Sequence, residues 1–191
     1  MKYVLISLLS SALLLVNACS SRSPNSNFYL LENELNQVEN TGNLRIGLGP
    51  VKVADYLQKP QIAIRTKTSQ IIFSEFERWA SDLRGLIINS LQYDLGNELK
   101  TDNVFEYPWR KSDQVDYAIQ LDIHRFDASF DESSAYIEAK MVLTSPQGQS
   151  VARAFATTES LSSNTYVAVV SAERRLLQQL AKQIAEIVQQ Q

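Results

Sequence analysis

The sequence predicts an α+β domain in two layers, a mainly antiparallel or mixed sheet with two helices packed on one of its faces. Three patterns carry the prediction. Val115, Tyr117, Ile119, Leu121 and Ile123 alternate with Asp116, Ala118, Gln120, Asp122 and His124, the two-residue period of a half-buried strand. Two more alternating runs, 135–143 and 150–158, follow through short links, which describes an antiparallel meander. Leu83, Leu86, Ile87, Leu91, Leu95 and Leu99 share one helical face. Val169, Leu176, Leu177, Leu180, Ile184, Ile187 and Val188 share another near the end of the chain.

Composition is consistent with this. The 191 residues include 18 basic and 21 acidic side chains, a formal charge of −3, with 45 % hydrophobic and 20 % charged residues. That balance can bury a proper core and suits one domain. Its mild acidity argues against nucleic acid as a partner, because phosphate binding needs a clustered basic surface. No segment repeats at a fixed period, which excludes a solenoid. A single Cys cannot make an internal disulfide, and one His with one Cys does not build a structural zinc site.

Residues 1–18 differ from the rest. Lys2 precedes a mostly apolar run from Tyr3 to Val16. The run is too short to span about 30 Å of hydrocarbon, which takes roughly 20 helical residues. It is expected to be a signal peptide. Val16-Asn17-Ala18-Cys19 resembles the lipobox of bacterial lipoproteins, in which the Cys sulfur receives a diacylglycerol before cleavage. The resemblance implies lipidation at Cys19. Ser20 stands where an Asp would retain such a protein in the inner membrane, which implies the periplasmic face of the outer membrane. The alternative is ordinary cleavage after Ala18 and a soluble secreted protein with a free thiol. Residues 19–27 then form the lipidated Cys and a polar tether, and residues 28–191 a single α+β domain.

In order, Phe28–Leu31 is a short strand candidate. Leu44–Val53 is a strand with a bulge or bend at Gly49-Pro50. Residues 55–60 are a loop, and 61–66 with 70–73 a hairpin. Ser74 and Glu77 have capping-box spacing, so a helix is expected from about Arg78 or Ser81 to Leu99. Val104–Tyr107 is a strand closed by Pro108. Ser145-Pro146-Gln147-Gly148 turns the meander, and Asn164 caps a helix over about 165–188.

Catalytic signatures are missing: no G-x-S-x-G, H-E-x-x-H, P-loop or G-x-G-x-x-G occurs. No enzyme activity, cofactor or metal is expected. His124 near Asp122 is expected to be an exposed histidine, and Asp127, Asp131 and Glu132 a solvated turn. Tyr56, Leu57 and Pro60 form an apolar-aromatic loop. Two roles stay open for it, a docking knob for a partner or a loop folded onto the core. Arg65 and Trp79 are expected to stack or pair.

Several segments taken in order resemble the PqiC/YmbA family, the ABC-type transport auxiliary lipoprotein components. They are Phe28-Tyr29-Leu30-Leu31, Ile46-Gly47-Leu48-Gly49-Pro50-Val51-Lys52-Val53, Tyr56-Leu57-Gln58-Lys59-Pro60-Gln61-Ile62 with Arg65, Ser74-Glu75-Phe76-Glu77-Arg78-Trp79-Ala80, and Asp116-Tyr117-Ala118-Ile119-Gln120-Leu121. The resemblance implies a non-catalytic outer-membrane lipoprotein in an MCE/ABC-type system that moves lipid between membranes and supports envelope integrity. It implies an MCE-domain periplasmic tunnel protein and an inner-membrane transport component as partners, with the acylated Cys19 held in outer-membrane lipid. A homo-oligomer is compatible with it. The alternative function is a lipoprotein that itself binds and carries a lipid or other apolar ligand.

Overall fold

The computed structural model describes residues 24–33 and 41–190. Cys19, the expected signal segment and the start of the tether lie outside the described residues. Eight strands form one sheet: β1 (Asn27–Tyr29), β2 (Ile46–Val53), β3 (Gln61–Arg65), β4 (Ile71–Trp79), β5 (Val104–Glu106), β6 (Tyr117–Ser129), β7 (Ser134–Thr144) and β8 (Ser150–Ser160). Helix α1 (Leu83–Leu99) sits between β4 and β5, and helix α2 (Tyr166–Gln189) follows β8.

Strand β6 is the hub. Along one edge it pairs antiparallel with β7 from Ala118↔Thr144 to Ser129↔Ser134, and β7 pairs antiparallel with β8 from Ser134↔Ser160 to Thr144↔Ser150. This is the expected meander. Along the other edge, the first half of β6 pairs parallel with β2, from Ile46↔Tyr117 to Val53↔Ile123. Its far end meets β3 at Ile64↔Ala128. A 3₁₀ turn over Asp55–Gln58 carries the chain from β2 to β3. The sheet therefore forks at β6, with β5 outside β2, and β4 then β1 outside β3.

Alternation along the strands sets the two faces. Ile119, Leu121, Ile123, Ile137, Met141 and Leu143 are buried, while their neighbours Gln120, His124, Glu138 and Lys140 are exposed. Helix α1 packs on β2 and β5, α2 packs on β6, β7 and β8, and the two helices pack on each other. A buried ion pair ties the helices: Arg174 on α2 donates from both terminal nitrogens to Asp94 on α1, each at 2.6 Å, and from Nε to the Glu32 carbonyl at 3.0 Å. One turn of side chain thus joins both helices to the segment after β1.

Two glycines in β2 are dictated by the geometry. Gly49 has φ +124, a value that side chains rarely adopt, at the register shift between Leu48 and Val51. A Cβ on Gly47 would lie 2.8 Å from the Trp109 ring.

Three expectations need correction. Strand β4 continues through Trp79, so Ser74–Glu77 is not a capping box. Pairing with β1 in the register Asn27↔Glu77 to Tyr29↔Trp79 extends the strand, and this long-range ladder overrides the local pattern. Helix α1 begins at Leu83, where the Asp82 carboxylate accepts from Gly85 N at 3.0 Å. At α2, Thr165 rather than Asn164 is the cap, with Oγ1 accepting from Ala168 N at 3.3 Å.

Candidate functional site

The loop singled out in the sequence lies over the far half of β6. Ala54 N donates to Ile123 O at 2.9 Å, and Leu57 N donates to Ala54 O at 2.9 Å, which winds residues 55–58 into a tight turn. The turn directs Leu57 inward, to 3 % exposure among the core residues. Tyr56 is half-buried and its hydroxyl donates to Asp127 Oδ2 at 2.8 Å. Pro60 is exposed, and its carbonyl accepts from Trp79 N at 2.7 Å. Leu57 is therefore a core residue. What the loop offers to solvent is Asp55, Gln58, Lys59, Pro60 and the uncovered part of Tyr56.

Asp127 is the centre of a polar cluster beneath that loop. It is fully buried, and both of its oxygens are engaged. Oδ1 accepts from Arg65 Nε at 3.2 Å and from Arg125 Nε at 3.0 Å. Oδ2 accepts from Tyr56 Oη and from Arg65 Nη2 at 2.7 Å. Burial and the neighbouring Asp127 carboxylate push the Tyr56 phenol far above its ordinary value, and the hydrogen bond from Tyr56 to that carboxylate adds to the rise. Arg65 also lies over the Tyr56 ring, 5.9 Å from its centroid, and Arg125 lies over Tyr136 at 3.8 Å. The cluster joins β3, β6, β7 and the 3₁₀ turn. Both Asp127 oxygens are occupied by these neighbours, and the cluster ties the three strands to the turn.

This cluster corrects two expectations. Arg65 pairs with Asp127 and stacks on Tyr56, whereas Trp79 is buried elsewhere at 4 % exposure. Asp127 belongs to a strand and is separated from Asp131 and Glu132, which accept from Lys67 N at 3.2 Å and Tyr136 Oη at 2.6 Å. A signal for the cluster was present in the sequence. Arg125 and Asp127 are two residues apart, so in a strand they share a face.

The other candidates are plain. His124 Nδ1 and Asp122 Oδ1 are 4.0 Å apart and both side chains are about half exposed. No group of three or more His, Cys, Asp or Glu among the described residues could hold a metal. The outer face of β6–β8 carries a shallow groove of about 450 Å³, lined by His124, Lys140, Ala152, Ala154 and Phe155. A second groove, of about 500 Å³, lies between Leu30 and Val167, both exposed. Glu173, wholly buried on α2, leaves Oε2 without a hydrogen bond; burial first, and then the Asp127 charge, hold its carboxyl well above the usual range.

Comparison with known proteins adds the following. The family model described as ABC-type transport auxiliary lipoprotein component matches residues 29–185. Among solved structures, an uncharacterised protein superposes with a TM-score of 0.73 at 21 % identity, over 86 % of this chain and 99 % of its own. A protein from Xanthomonas campestris superposes with a TM-score of 0.62 at 18 % identity, over 85 % of this chain and 91 % of its own. At these identities the likeness is one of fold. A search of curated proteins finds no match to the chain.

Proposed function

Because the chain belongs to the family of ABC-type transport auxiliary lipoprotein components, we propose that it is a lipid-anchored, non-catalytic subunit of an MCE/ABC-type system that moves lipid between membranes. Membership makes it a lipoprotein with a transport-related role. The finer proposal places acyl chains on Cys19 and the body on the periplasmic face of the outer membrane. Its partners there are an MCE-domain tunnel protein and an inner-membrane transport component. The family match over residues 29–185 is the observation that carries this.

Physical arguments support it. One acyl chain anchors only reversibly, at about 0.8 kcal/mol per buried methylene, whereas two or more make a stable anchor. Asn27 belongs to β1, so the seven polar residues from Ser20 to Ser26 are the tether, and they reach at most about 23 Å when extended. A domain so leashed presents its surface to partners at a nearly fixed height above the lipid. No helix among the described residues is long and apolar enough to cross a membrane. The polar cluster best placed for chemistry, around Asp127, is filled by its own neighbours. Work by partner contact fits a surface of this kind, with the exposed Gln58–Pro60 segment as the docking surface we favour.

Envelope fractionation of a Cys19→Ala variant tests the anchor. The expected result is release of the domain from membranes. Membrane association that is unchanged and resists salt would contradict it.

A second reading has one observation in its favour. The groove beside Ala152, Ala154 and Phe155 is mostly apolar and could take an acyl chain. Mass spectrometry of the purified protein would then find a stoichiometric co-purified lipid beyond the chains on Cys19.

A further inference from the structure

The forked sheet has three outer strands among the described residues, and they are not alike. Strands β1 and β5 are three residues each, while β8 has eleven. A short outer strand is a common protection against unwanted pairing; a long one with open amide and carbonyl groups is a template for another strand. Two charges, Arg153 and Glu159, are the protection β8 retains. The strand contains no Pro and no Lys, and its register with β7 runs without a shift from Ser134↔Ser160 to Thr144↔Ser150. Among the described residues no element pairs with its outer side.

Its side chains are also suited to an added strand. Ala152, Ala154 and Ala156 are exposed and project on the open face, where methyl groups obstruct nothing. The opposite face carries two charges, Arg153 and Glu159. The Arg153 guanidinium is exposed and bonds only the neighbouring Ala152 carbonyl, at 3.0 Å. Glu159 leans on α2, where Oε2 accepts from Arg175 Nε at 3.1 Å and Oε1 from Gln179 Nε2 at 2.5 Å, and Arg175 also donates to Ser160 O at 3.3 Å. Each carboxylate oxygen keeps a second lone pair for an incoming guanidinium.

We propose that β8 pairs antiparallel with β8 of a second copy of this chain, forming a two-fold dimer with one continuous sheet. The charges select the register. A two-fold axis through Ala156 places Arg153 of each copy opposite Glu159 of the other. It also places Ala154 opposite Thr158 and Ala156 opposite itself, so residues 152–160 pair throughout. Moving the axis to Phe155 would instead set Arg153 against Thr157 and Val151 against Glu159, losing both charge pairs. Closed two-fold contacts of one patch with itself are the commonest form of association. Main-chain hydrogen bonds supply the affinity of strand addition, and side-chain pairing supplies the register. The proposal is independent of the lipid-transport reading, since it rests on β8 alone.

Site-directed cross-linking in the intact envelope, with the full chain, tests it. Ala156→Cys puts two thiols directly opposite, with Cα atoms about 4.5–5.5 Å apart, within the range a disulfide bridges. Ser150→Cys lies on the same face of β8, but the two copies of it are separated by about 40 Å in this register. The parent chain, whose one Cys is Cys19, gives the background. Mild oxidation is expected to convert Ala156→Cys to a homodimer and to leave Ser150→Cys at background. Adding Arg153→Glu to Ala156→Cys is expected to lower the dimer at least five-fold, because two like charges then face each other. Exported amount and melting temperature confirm that each variant is folded. Three results would overturn the proposal: no dimer from folded Ala156→Cys, equal cross-linking at both positions, or a product whose mass shows a different protein as the partner of β8.

Discussion

Asp127 draws Tyr56, Arg65 and Arg125 onto one buried carboxylate, and this explains why the Tyr56–Pro60 loop is more than a surface feature. The loop separates into residues that hold the fold and residues that face solvent. Leu57→Ala is expected to lower stability by about 2–5 kcal/mol through the cavity left in the core. Tyr56→Phe removes a hydrogen bond to a carboxylate and is expected to cost about 1.5–3 kcal/mol. Pro60→Ala, at an exposed position, should change stability by less than about 0.5 kcal/mol. Denaturant unfolding of the three variants checks the order; a Leu57→Ala protein as stable as Pro60→Ala would contradict the packing described. Glu173 makes a prediction in pH. Its carboxyl is held well above the ordinary glutamate value of 4.5 by burial. Below that value both folded and unfolded chains carry the proton. As pH rises through it, the unfolded chain releases the proton while the folded one keeps it, so stability falls until the folded carboxyl itself ionises. Glu173→Gln removes this slope. The melting temperature of the variant relative to the parent should rise between pH 4 and pH 8, and parallel profiles would refute the assignment.

The elements show where local pattern is enough and where it fails. The period-two runs of β6 and β7 were legible because each has one buried face, β8 alternates more weakly because its helix side is only half-buried, and the apolar stripes of α1 and α2 were legible because they face the core. The parallel pairing of β2 and β3 along successive halves of β6 was not legible, since it depends on contacts between residues far apart in the chain. The same cause hid the length of β4. Its Ser74–Glu77 spacing is a local helix signal, but the β1 ladder outweighs it. Of the site, Arg125 and Asp127 shared a visible strand spacing, while Arg65 and Tyr56 reach Asp127 only through the fork. Two tests belong at this scale. Arg174→Ala leaves Asp94 buried without its partner and should cost about 3–5 kcal/mol, whereas an Arg174→Met, Asp94→Leu double variant should recover most of that loss. Thermal or denaturant melts of the two proteins decide it, and a double variant no better than the single would show that the pair does more than balance charge. Gly47→Ala forces a methyl group against the Trp109 ring, and overpacking of this kind is expected to cost about 1–3 kcal/mol.

At the scale of the whole molecule, a forked sheet with two helices on one face leaves the other face of β6–β8 and the edge of β8 open among the described residues. The family match makes the chain a lipoprotein with a transport-related role, and the proposed mode of action is contact. Sequence alone could reach the fold class and the absence of familiar catalytic motifs. It could not separate the core side of the Tyr56–Pro60 loop from its solvent side, because that depends on which way a four-residue turn faces. The central claim, that this is the auxiliary subunit of an MCE/ABC-type assembly, is tested most directly by affinity capture of the full chain from gently solubilised envelopes, followed by mass spectrometry. The account predicts that an MCE-domain protein and an inner-membrane transport component co-elute, and that both are depleted when Cys19→Ala is captured in equal amount. Full recovery of the chain with neither protein above the untagged background would contradict it.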